Sequence, residues 1–73
     1  MNTEKKAKAI EAHKSLTRSG DLEAARIVSH LLQWGSVSVG LSDTSFLVEQ
    51  ALENNGLFGI DRRNYSIKRF NLN

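Results

Sequence analysis

The stretch that decides the fold is DLEAARIVSHLLQWG, residues 21–35. Leu22, Ala25, Ile27, Val28, Leu31, Leu32 and Trp34 recur at spacings of three and four, the period of a helix with one apolar face. Asp21 stands where an N-cap belongs, and Gly35 stands where a residue in the left-handed conformation ends a helix. These residues predict a helix over 21–34 that supplies the centre of the core.

Working outward toward the C-terminus, Ser36-Val37-Ser38-Val39-Gly40 alternates polar and apolar between two glycines, as a short half-buried strand does. Ser42 then caps a third helix over 42–55, with Leu41 before it and Phe46 four positions into it at the spacing of a hydrophobic staple. Phe46, Leu47, Val48, Ala51 and Leu52 make its expected buried stripe. Asn54-Asn55-Gly56 closes it, because Gly56 accepts a positive φ. Toward the N-terminus, residues 3–18 are rich in Ala, Lys and Glu, with Thr3 placed to start a first helix and Ser19-Gly20 placed to stop it. Its apolar face is thin: Ile10 and Leu16 are its only large apolar side chains, and Ala7, Ala9 and Ala12 fill the rest, so weak packing is expected.

The tail, residues 57–70, reads as a hairpin around Asp61-Arg62-Arg63-Asn64. If Ile60 faces Tyr65, then Phe58 faces Ile67, and all four side chains fall on one face, which is expected to be core. The competing reading starts a fourth helix at Asp61. The expected architecture is therefore a single α+β domain over 1–73, mainly α, with three helices followed by a C-terminal β-hairpin.

Composition narrows the functional classes. A chain of 73 residues has room for one domain, and it buries only about 60 to 65 per cent of the surface that its unfolded form exposes. It holds no cysteine, so neither a disulfide nor a thiolate is available, which points to a cytoplasmic setting. No apolar run approaches the length that spans a bilayer, and Met-Asn-Thr-Glu-Lys-Lys leads into charge rather than a signal peptide. Small domains without disulfides often complete their core by self-association, so a homodimer is a reasonable expectation.

The elements of catalysis are hard to assemble from these residues. His13 and His30 fall on different predicted helices with no metal-ligand spacing between them, so no metal and no cofactor are expected. Gly35 to Gly40 has the glycine spacing of a phosphate loop, but Leu41 stands where its lysine belongs. No serine has the setting of a nucleophile elbow. The chain is expected not to be an enzyme.

Charge is unevenly placed. Residues 1–20 carry five basic and two acidic side chains, residues 21–55 one and five, and residues 56–73 four and one. The ends are basic and the middle is acidic, which reads either as ordinary solvated faces or as a bipolar surface that steers a partner. Trp34 has two readings as well, a core aromatic or an exposed anchor of the kind that dominates interfaces.

The order helix, Gly56-Leu57-Phe58, Asp61-Arg62-Arg63, then Tyr65-Ser66-Ile67 resembles the passage from recognition helix to wing in winged helix-turn-helix proteins, over about residues 42–70. The resemblance implies a DNA-binding regulator with residues 42–55 in the major groove and Arg62 and Arg63 on the wing. The sequence departs from that family in two places. The connection from Gln33 to Ser42 is longer than the family's tight turn, and the supposed reading helix carries Asp43, Glu49 and Glu53 with no Lys or Arg. Since phosphate neutralisation supplies most of the affinity in such complexes, three acids repel that helix from the groove; Gln50 and Asn54 alone could read bases.

The expectation ranked first is therefore a regulatory protein that binds a basic protein surface through Trp34, Asp43, Glu49, Gln50 and Glu53, as an antagonist of a repressor or another nucleic-acid-binding protein would. The alternative is a DNA-binding transcriptional regulator that meets phosphates through Lys5, Lys8, Arg62, Arg63, Lys68 and Arg69.

Overall fold

The computed structural model describes residues 3–57 and 66–72. Three helices, α1 (Thr3–Arg18), α2 (Leu22–Trp34) and α3 (Asp43–Asn54), are joined by two strands, β1 (Ser36–Gly40) and β2 (Ile67–Asn71). Helices take 66% of the described residues and strands 16%, so the chain is α+β with helix dominant. No helix among the described residues is long and apolar enough to cross a membrane.

Local chemistry sets the helix ends. Gly35 takes φ 82°, and its N–H donates to Leu31 C=O at 2.8 Å, which satisfies a terminal carbonyl of α2 and turns the chain directly into β1. At the start of α3 two serines cap each other: Ser45 N–H donates to Ser42 Oγ at 3.2 Å, and Ser42 N–H donates to Ser45 Oγ at 2.9 Å. Gly56, at φ 79°, ends the same helix, and Leu57 N–H returns to Leu52 C=O at 3.0 Å. Asp21 occupies the N-cap of α2 without a side-chain capping bond.

The two strands pair antiparallel, Ser36 with Asn71 through Gly40 with Ile67. The C-terminal strand thus finds its partner before α3 in the chain, and Phe58, Ile60, Tyr65 and the 61–64 turn of the expected hairpin lie outside the described residues. Alternation along β2 buries Lys68 and Phe70 and exposes Ile67, Arg69 and Asn71. This corrects the assignment of Ile67 to the core: it is 55% exposed, because the register gives the inner face to its neighbours.

The core lies between the inner face of this sheet and the three helices. Val28 and Leu31 of α2, Val48 and Leu52 of α3, and Phe70 and Leu72 at the C-terminus are its large members. Ala9 and Ala12 are completely buried, and α1 lies against both α2 and α3. The thin apolar face of α1 is thus enough, since alanine lets two helix backbones approach closely and needs little side-chain ordering. Two further expectations are corrected. Leu22, at the start of α2, is 65% exposed instead of buried, while Trp34, at 69%, takes the exposed one of its two readings. Phe46 and Leu47 are also exposed, and Ser45 occupies the buried position beside Val48 in the pattern of α3.

Removing the Phe70 ring leaves a cavity under the sheet, so Phe70→Ala is expected to cost about 3 to 5 kcal/mol, a large share of the stability of so small a domain. Ile67→Ala, on the solvent face of the same strand, should cost less than about 1 kcal/mol. Urea denaturation followed by circular dichroism checks both, and equal losses would contradict this register.

Candidate functional site: the outward face of α3

At a rotation of 100° per residue, the positions of α3 sort into two faces. Ser45, Val48, Ala51 and Leu52 are buried. Asp43, Phe46, Leu47, Gln50 and Asn54 are exposed and fall on the opposite side. Phe46 is 55% exposed, and with Leu47 it forms an apolar step between Asp43 at one end and Gln50 and Asn54 at the other. Such a surface, aromatic and aliphatic at its centre and polar at its rim, has the make-up of a protein-binding face.

The flank of this face is held by an ion pair. Lys68 Nζ lies 2.8 Å from Glu49 Oε2, with only 6% of the lysine side chain and 15% of the glutamate side chain exposed. The contact is Coulombic, since no well-aligned hydrogen bond reaches that oxygen among the described residues. The same ammonium group stands 5.6 Å from the centre of the Phe46 ring, within the range of cation–π attraction. Lys68 therefore joins β2 to α3 and supports the Phe46 ring from beneath. Two functional assignments change as a result: Glu49 is not free to meet a partner, and Lys68 is not free to meet a phosphate, because each is buried against the other. Sequence reasoning missed this pair because the two residues lie on elements whose contact no local pattern encodes.

The remaining candidates are scattered. Trp34 is exposed, but it stands at the junction of α2 and β1, on a different element from the outward face of α3. Glu53 is half-buried and engaged. Lys8 pairs with Glu4 at 3.6 Å and donates to Gly56 C=O at 3.4 Å, which ties α1 to the end of α3. Lys5 is half-buried and engaged as well. Arg69 is exposed on the outer face of the sheet, and Arg62 and Arg63 lie outside the described residues. The described basic residues of the two ends are divided between α1 and β2.

The described residues also line concavities. A shallow one of about 140 Å³ runs from Leu47, Gln50 and Asn54 to Ser15, Ser19 and Asp21, well below the volume of a small-molecule pocket. A larger groove of about 380 Å³ opens along His13, Lys14, Thr17 and Arg18 of α1. Its polar groups are already engaged in part: the Thr17 hydroxyl donates to His13 C=O at 2.9 Å, and Lys14 pairs with Glu11 at 3.5 Å. Among the described residues no three His, Asp or Glu side chains are grouped to hold a metal ion.

Breaking the buried pair strands one charge, so Lys68→Ala or Glu49→Ala is expected to cost about 3 to 5 kcal/mol, whereas Lys68→Met combined with Glu49→Leu should recover most of the loss. Chemical denaturation of the two single variants and the double variant makes the cycle, and additive losses would show that the pair does not couple. No family model, curated protein or solved structure matches this chain.

Proposed function

We propose that this chain is a non-enzymatic, cytoplasmic regulatory protein that docks the outward face of α3 on a basic surface of a partner protein. The observation that carries this reading is the exposure of Phe46 and Leu47 on the same side of the helix as Asp43 and Gln50. An exposed aromatic side chain flanked by polar groups gives an interface its anchor. Residues 42–55 contain three acids and no Lys or Arg, so the complementary surface is basic, of the kind that nucleic-acid-binding proteins present to phosphates. An antagonist that covers the nucleic-acid face of a repressor fits this chemistry. The burial of Glu49 narrows the reading: the charge offered outward comes from Asp43, and Phe46 and Leu47 supply most of the contact.

The second reading, a winged-helix-like DNA-binding regulator, keeps the exposed Arg69 and loses Lys68, whose charge is spent on Glu49. Phosphate contacts would then come from Arg69, Arg62 and Arg63, and affinity would fall steeply with salt.

The two readings separate by variant. The native chain is used to capture partners from its host with nuclease present, and any recovered protein is then titrated directly by calorimetry. Phe46→Ala should weaken that binding at least tenfold, Asp43→Asn should slow association, and Arg69→Gln should change little. Binding to duplex DNA that survives Phe46→Ala and is weakened by Arg69→Gln would overturn the proposal.

A further inference from the structure

Among the described residues β1 is an edge strand of the sheet. Leu41 N–H donates to Ser66 C=O at 3.2 Å, and Leu72 N–H donates to Gly35 C=O at 2.9 Å. These two bonds flank the register Ser36 with Asn71 through Gly40 with Ile67. In an antiparallel ladder, positions that bond to the partner alternate with positions that do not. Val37 and Val39 therefore direct their N–H and C=O groups at β2, while Ser36, Ser38 and Gly40 direct theirs away from it. Among the described residues the sheet ends there, with strand order β1-β2.

The edge of β1 lacks the devices that prevent strand pairing. Natural edges are guarded by lysine, proline, bulges or inward charges; Ser36-Val37-Ser38-Val39-Gly40 has no charged residue and no proline, and it pairs with β2 without a bulge. The outer edge of β2 differs, because Arg69 stands at its centre. Two copies joined through β2 would set one guanidinium against another. Two copies joined through β1 would set serine against serine.

We propose that β1 pairs antiparallel with β1 of a second copy of this chain, about a two-fold axis through Ser38, giving a continuous sheet of order β2-β1-β1-β2. In that arrangement Ser36 faces Gly40 of the other copy, Ser38 faces its own equivalent, and every one of these pairs joins positions with outward N–H and C=O groups, so each exchanges two hydrogen bonds. Val37 comes opposite Val39 on the inner face. Both valines are only partly buried in the single chain, although they pack against its core, and the second strand covers them with β-branched neighbours. The contact is isologous and closes after two copies, so it produces a dimer and not a fibre. Two strands alone make a marginal sheet, and doubling them gives this small core a wider platform. The outward face of α3 is a separate surface and plays no part in the contact.

Ser38 offers two clean tests. Its N–H points away from β2, so Ser38→Pro removes a donor from the outer edge and leaves the ladder with β2 intact, as edge prolines do. Its side chain is on the exposed face of the sheet, so Ser38→Lys sets two like charges opposite each other across the axis without disturbing the core. Sedimentation equilibrium of the full native chain, from low micromolar to near millimolar, is expected to show a monomer–dimer equilibrium. Both variants should keep the native circular dichroism spectrum and dimerise at least tenfold more weakly. Should Ser38→Pro fail to fold, Ser38→Lys alone decides. A native chain that stays monomeric over that range, or a Ser38→Lys variant that dimerises as tightly as the native chain, overturns the proposal.

Discussion

Side chains alternate along a strand, so the register of β2 against β1 decides at one stroke which C-terminal residues enter the core and which meet water. With Val37 opposite Phe70 and Val39 opposite Lys68, Phe70 closes the core and the Lys68 ammonium arrives beside α3. A slip of one residue in either direction would expel Phe70 from the core and put Arg69 inside, with Asn71 or Ile67 as its inward companion. The ion pair has no such freedom. A buried carboxylate without a counter-charge costs several kcal/mol, so Glu49 penalises the slip that would set Ile67 in the place of Lys68.

The helices tolerate a core of modest side chains because their ends are fixed locally. The mutual serine cap at the start of α3 and the glycine turns after α2 and α3 satisfy terminal backbone groups that water would otherwise have to reach. With the ends settled, α1 contributes through contact area and not side-chain size: Ala9 and Ala12 are buried against neighbouring helices. In a domain of this size single core residues carry a large share of the total stability, and Phe70, fully buried under the sheet, is the largest of them.

The same geometry divides the acidic residues between structure and surface. Glu49 is consumed in holding the sheet to α3, while Asp43 remains exposed on the side of the helix where Phe46 and Leu47 emerge. On α3 the fully exposed acid is thus Asp43 alone, beside an aromatic centre. Lys68 contributes to that centre indirectly, because the ammonium group that neutralises Glu49 also stands by the Phe46 ring. The proposed docking face and the proposed dimer edge lie on different elements, so one module could pair with its copy and still present two helical faces.

By itself the sequence determined the three helices, their ends and the strand between glycines, because periodicity and capping are set by residues three or four apart. The start of α3 at Ser42 and its stop at Gly56 were legible for that reason, as was the absence of basic residues on that helix. It did not determine which apolar residues of α3 face inward: Phe46 and Leu47 fit the stripe as well as Val48 does, and Ser45 is buried instead because the cap bonds satisfy its hydroxyl, which also donates to Ser42 C=O at 2.8 Å. Nor did it determine where Ile67–Asn71 would pair. Only the tertiary structure decided that, since strand pairing joins residues far apart in sequence and the choice between partners depends on which side chains the helices leave room for. The burial of Lys68 against Glu49 follows from that choice, and it turned two residues with the composition of a binding surface into a structural pair.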